Sequence, residues 1–317
     1  MITNPDDKNA LKKLRLLALW STRSIVLLVL TGGAVRLTGS GLGCWDWPTC
    51  SKNSFTAPMQ LHPMIEDSNR FFSTAVSILL FITFLAALRV GKKRKDLVIL
   101  AGALFGGIIA QALIGGLVVF SHLYPPFVMF HFVLTLLMLA NGIILHHRCR
   151  PLPVEPVTLD PKEASASRKR EVKIMAYGAM ALTMVVIAFG TAVSGAGPHP
   201  GYQNSKRLPI SFATIAEIHA GLVWALVGLS IGTYFAFRMV GVPHRLQKWT
   251  MYFVEALLAQ GVVGYSQYWL HDPGSLVEIH LLGASIVFSI AVKLQLVLID
   301  CNNSLLDIGQ TLESLAF

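Results

Sequence analysis

The chain has 317 residues, 54% of them apolar and only 14% charged, whereas an ordinary soluble domain carries about 25% charge, which excludes a typical soluble enzyme. It is also basic, with 26 Lys and Arg against 17 Asp and Glu and a net charge of +9, but a mean hydropathy of +0.59 argues against nucleic acid as the partner of that charge. Eight spans of about 20 residues would occupy half the chain, so composition alone predicts an all-α, polytopic membrane protein with short loops.

In chain order, residues 1–15 form a polar tail containing Asp6 and Asp7, with neither the pattern of a cleavable signal nor that of an Arg-rich transit peptide. This leads to the expectation of a bacterial plasma membrane. Apolar windows then predict spans at 16–37, 66–89, 97–120 and 128–147, a Pro-rich basic linker at 148–171, and spans at 172–193, 215–237, 246–269 and 277–299 before a tail at 300–317. Twenty of the 26 cations fall in the N-terminal tail, the even-numbered connections and the end of the last span, whereas the odd-numbered loops hold only Lys52, Lys206 and Arg207. Cation-rich loops stay on the cytoplasmic side, so both termini are expected there. Cys44 and Cys50 then lie in the first outer loop, an oxidising compartment where a bridge can persist; two separate thiols or part of a metal site are the alternatives. Cys149 and Cys301 fall on the reducing side.

The linker divides two four-span halves, and the halves repeat. Gln111, Gly115 and His131 of spans three and four answer Gln260, Gly264 and His280 of spans seven and eight, each displaced by 149 residues. Thr38-Gly39-Ser40-Gly41 answers Ser194-Gly195-Ala196-Gly197, and aligning Asn69 with His219 gives an offset of 150. Four spans are an even number, so the halves share one orientation and a pseudo-two-fold axis along the membrane normal is expected.

The repeat places His131, His219 and His280 near the outer ends of even-numbered spans. An imidazole inside a membrane is costly unless paired, and two at equal depth on neighbouring helices can bind one haem iron from opposite faces. Interhelical hydrogen bonding is the plainer alternative. His62 precedes Pro63 and is read as a cap on span two, with Glu66 and Asn69 on the same helix face. Glu66 is either an interfacial carboxylate or a general base beside a substrate. Arg36 and Arg70 either pair with propionates or snorkel to headgroups. The remaining histidines, His199 among them, are read as surface residues.

Several stretches together resemble the heme A synthase family: Thr31-Gly32-Gly33-Ala34-Val35-Arg36-Leu37-Thr38-Gly39-Ser40-Gly41-Leu42-Gly43-Cys44-Trp45-Asp46-Trp47-Pro48-Thr49-Cys50, Gln111-Ala112-Leu113-Ile114-Gly115-Gly116, Gly190 to His199, and His280-Leu281-Leu282-Gly283-Ala284. The resemblance covers residues 16–299. It implies an enzyme that oxidises the C8 methyl of heme O to the formyl of heme A by successive hydroxylations and loss of water, for terminal oxidase assembly. It implies a haem b held by His219 and His280 in the second half (172–299), and a catalytic first half (16–147) in which Glu66 and His131 match functional positions. Asn69, His62, Arg36 and Arg70 are the further expected contacts of the substrate haem, and Cys44 with Cys50 matches the family's outer-loop disulfide. Asn69 departs from the His that many members carry; either the iron keeps one face open or His62 supplies the second ligand. The resemblance also implies contacts with the bilayer, and leaves open heme O synthase, oxidase assembly factors and further copies of the chain as partners. The competing reading is a non-catalytic dihaem b-type electron-transfer cytochrome, disfavoured because all candidate ligands share the outer depth. A parallel-repeat transporter lacks a midplane polar site.

Overall fold

The computed structural model describes residues 5–52, 54–91, 94–150 and 166–315, with the backbone alone for 5, 166–169 and 302–315. The helices are α1 (Pro5–Leu37), α2 (Leu61–Val90), α3 (Lys95–Phe120), α4 (Pro125–Arg148), α5 (Ala166–Ala196), α6 (Phe212–Met239), α7 (His244–Trp269) and α8 (Gly274–Leu315). All but α7 are long and apolar enough to cross a membrane. Arg245, Lys248, Glu255 and Gln260 dilute the apolar character of α7, which nevertheless has the 26 residues needed to span. Among the described residues the only strand-like pairing is an isolated bridge between Ser51 and Ser54.

Helices α1, α5 and α8 overrun the apolar windows read from sequence, into the expected N-terminal tail, linker and C-terminal tail. Hydropathy marks the part of a helix that needs lipid, whereas the backbone hydrogen-bond ladder continues through polar residues. Helices α1 to α4 touch in a closed ring, α5 to α8 close a second, and the rings meet where α8 lies against α1 and α4 and where α4 meets α5. The repeat extends to backbone geometry. In the α3–α4 turn His122 and Leu123 are left-handed, with φ of 56° and 62°, and in the α7–α8 turn His271 and Asp272 are left-handed, both at 63°. The matching amides bond back alike, Leu123 N to Val118 O and Asp272 N to Gln267 O.

The apolar cores fill only part of each ring. In the first, buried side chains begin at Ile25, Val76, Ile108 and Leu136 and continue toward the end of the helices that bears the linker. In the second they begin at Val186, Leu226, Leu257 and Val287 and run the same way. Neither cluster reaches the opposite end, where the first loop carries the Cys44–Cys50 disulfide. Phe288, Val292 and Leu296 of α8 belong to the core of the first ring, so one helix of the second half plugs into the first. Replacing Phe288, 1% exposed, with Ala should cost about 3–5 kcal/mol, read as a lower thermal midpoint of the detergent-solubilised protein.

Candidate functional site

The three intramembrane histidines lie just beyond the cores. His219 and His280 lie seven residues, about 10 Å of helix, toward the disulfide end from Leu226 and Val287, and His131 lies five from Leu136. Each ring faces a glycine on the preceding helix. A methyl placed on Gly115 would lie 3.7 Å from His131 Cε1, and methyls on Gly190 and Gly264 would lie 3.1 Å from Cε1 of His219 and His280. Gln111 and Gln260 donate from Nε2 to the backbone carbonyls of His131 and His280, so each repeat fixes its histidine turn in the same way.

Two of these imidazoles keep an unsatisfied ring nitrogen. Nδ1 of His131 and Nδ1 of His280 are buried with no hydrogen-bond partner among the described residues. Leaving a buried polar group unpaired costs about 1–3 kcal/mol. His219 Nδ1 donates to Val186 O at 3.1 Å, which fixes that tautomer and leaves the Nε2 lone pair available. His219 also stands within electrostatic range of His280. Asn69 occupies the corresponding place in the first ring, seven residues from Val76, and its Oδ1 accepts from Thr31 Oγ1 at 2.7 Å. Beside it a cavity of about 440 Å³ is lined by Thr31, Ala34, Leu61, Met64, Ile65, Ser68 and Asn69, on facing sides of α1 and α2. Among the described residues no cluster of three or more His, Cys, Asp or Glu can hold a bare metal ion. A porphyrin brings four nitrogens of its own and needs only one or two further donors, so such a cluster is not a requirement for holding one.

The first loop folds over this end and is fastened to α2. Glu66, 5% exposed, accepts from Cys44 N at 2.8 Å through Oε2 and from Arg70 Nη2 at 2.7 Å through Oε1. Arg70 further donates to the carbonyls of Asp46 and Thr49 at 3.1 and 3.0 Å. Its guanidinium therefore holds the loop that Cys44 and Cys50 close, and is neither snorkelling nor pointed at a free anion. Gly43 lies on the His62–Pro63 peptide so closely that a methyl there would be 2.6 Å from His62 O; only glycine permits the loop to seat there.

The other odd-numbered loops join this cap. Gly41 N donates to Gly201 O at 3.0 Å. Arg36 donates to Ser194 O and His199 O, both at 2.7 Å, tying α1 to the end of α5 and to the α5–α6 loop. His199 Nε2 donates to Asp272 O at 2.8 Å, so His199 joins two loops of the second half rather than lying free at the surface. Leu123 packs against Gly41 and Gly201, and this burial holds a leucine in the left-handed region at a cost of roughly 1–2 kcal/mol. The cap on α2 is also corrected: its N-cap is Gln60, and His62 is an exposed residue of the first turn whose Nδ1 meets Ser40 Oγ at 3.0 Å. Glu278, two residues before His280, escaped the sequence reading. Its Oε2 is buried and without a partner among the described residues, against Gly33 of α1. An acid near a helix start reads as interfacial, and only the spacing to His280 marked it.

The model of the cytochrome oxidase assembly protein family COX15-CtaA matches residues 15–292, nearly the whole described membrane portion. The chain belongs to this family. Among its relatives, the heme A synthase of Exiguobacterium sibiricum is 27% identical over 192 residues, covering 59% of this chain and 61% of that protein. The heme A synthase of Bacillus cereus strain AH187 is 29% identical over 170 residues, 53% of each chain. That of Bacillus cereus strain 03BB102 is 33% identical over 122 residues, 38% of this chain and 39% of the other. The chain thus spans between about two-fifths and three-fifths of the length of these relatives. In the family member described here, replacing Arg70 with Met strips the Glu66 carboxylate of its cation and the disulfide loop of its clamp. The expected loss is about 2 kcal/mol, measured as a lower thermal midpoint together with faster proteolysis of the first loop.

Proposed function

We propose that this chain is a heme A synthase, converting the C8 methyl of heme O to the formyl of heme A within the first ring, with a haem b in the second. The single observation that carries the reading is the placement of His131, His219 and His280 at one end of two rings whose apolar cores stop short of them. His219 and His280 would hold the haem b, and His131 would hold the substrate iron. The haem b, when bound, supplies a one-electron redox centre.

Asn69 is a poor iron ligand, so the face of the substrate opposite His131 stays open. His62 lies seven residues, about 10 Å of helix, toward the loop end from Asn69, and its exposed position over Ser40 supports a place in the cap rather than on the iron. The α1–α2 cavity gives an apolar substrate tail a route from the bilayer. Glu66 remains the proposed proton acceptor near the reacting methyl: each carboxylate oxygen retains a lone pair beyond its bond to Cys44 or Arg70. Arg36 and Arg70 act by holding the cap that keeps water from the substrate. The cation distribution supports cytoplasmic termini, with the disulfide end outside. Heme O synthase, oxidase assembly factors and a second copy of the chain are partners proposed from the family alone.

In a host that makes heme O but not heme A, the chain should yield heme A or its hydroxylated intermediate on chromatography of extracted haems. Protein present without either product, under adequate electron supply, overturns the reading. His219→Ala or His280→Ala should remove the b-type absorbance of the purified protein. His131→Ala should keep that absorbance and abolish product, and Glu66→Gln should lower turnover by about 100-fold or more while keeping the absorbance.

A further inference from the structure

At the linker end, α1 and α7 make no close backbone approach among the described residues, and α8 forms the floor of a groove between them. The groove, about 290 Å³, is lined by Val26 of α1, Ile143 of α4, Trp249 of α7, and Ser285, Ile286, Ser289, Ile290 and Lys293 of α8. Ser285 and Ser289 spend their hydroxyls on backbone carbonyls of their own helix, so the floor is small and effectively apolar. From Ser285 to Lys293 is eight residues, about 12 Å of helix, close to the depth of one hydrocarbon leaflet of roughly 15 Å.

The groove ends among cations. Lys293 stands within electrostatic range of Arg15 on α1, Arg150 beyond α4 and Arg245 on α7, with Asp300 the one carboxylate among these neighbours. The Lys293 ammonium donates to His147 Nδ1 at 2.7 Å, so His147 turns its Nε2–H to Asp300 Oδ1 at 3.1 Å. That acid is therefore engaged by the histidine, while Nε of Arg150 is buried with no hydrogen-bond partner among the described residues. An apolar slot one leaflet deep that opens under several cations, with a tryptophan at its rim, has the chemistry of a site for an anionic phospholipid.

We propose that the α1–α7 groove binds one acyl chain of an anionic phospholipid, whose phosphate is met by Arg15, Arg150, Arg245 and Lys293. The lipid seals the seam between the two halves where the protein leaves it open. It is independent of the haem chemistry, and its failure would leave the proposed activity untouched.

The test uses the full-length protein in phosphatidylcholine vesicles, doped with either phosphatidylglycerol or phosphatidylcholine carrying brominated chains, with tryptophan fluorescence as the readout. The part of the quenching lost in Trp249→Phe reports on the groove. That part should saturate at lower mole fraction for brominated phosphatidylglycerol than for brominated phosphatidylcholine. Arg15→Gln and Arg245→Gln should each weaken the preference by about five-fold, the weight of one cation at a membrane surface. Inorganic phosphate at millimolar concentration should leave it unchanged. Equal quenching by the two lipids, a preference that survives both substitutions together, or displacement by inorganic phosphate overturns the proposal.

Discussion

A neutral imidazole inside a bilayer has no water to complete its hydrogen bonds, and the arrangement of this molecule follows from placing three of them toward one end of the helices. The apolar cores cannot extend to that end without burying the rings against hydrocarbon, and they stop five to seven residues short. Glycine on the preceding helix then leaves room beside each ring, and a glutamine fixes the backbone of His131 and of His280. The rings are solid toward the linker end and polar inside at the other.

A polar interior at the end of a bundle needs a cover, and the odd-numbered loops provide one. The disulfide closes a loop with a sequence separation of six residues, which in the chain-entropy model contributes about 2 kcal/mol. The larger constraint is the Glu66–Arg70 pair, because it binds that loop to α2 at several carbonyls at once. Arg36, His199 and Leu123 carry the cover across to the second half. The two halves are therefore joined at both ends, by the loops on one side and by Phe288, Val292 and Leu296 of α8 on the other.

Much of this was legible in the sequence because the bilayer constrains it. Helix number, the repeat of Gln, Gly and His at an offset of 149, and the Cys44–Cys50 bridge all follow from hydropathy, spacing and compartment. Helix ends were not legible, since α1, α5 and α8 continue into polar sequence that carries no hydropathy signal. The tasks of Arg36, Arg70 and His199 were also hidden, because all three bond to backbone carbonyls, which every residue has and no motif records. The paired left-handed residues of the α3–α4 and α7–α8 turns share only their first histidine, too little to signal a turn without glycine.

The central claim is that two haems lie at one depth, each within its own four-helix ring. Anomalous scattering at the iron edge from crystals of the heme-O-loaded protein locates the metals without reference to any assigned role. The account predicts two iron peaks level with one another at the disulfide end, one between His219 and His280 and one beside His131 across from Asn69. A single peak, two peaks at opposite membrane depths, or an iron within reach of His62 rather than His131 would contradict it.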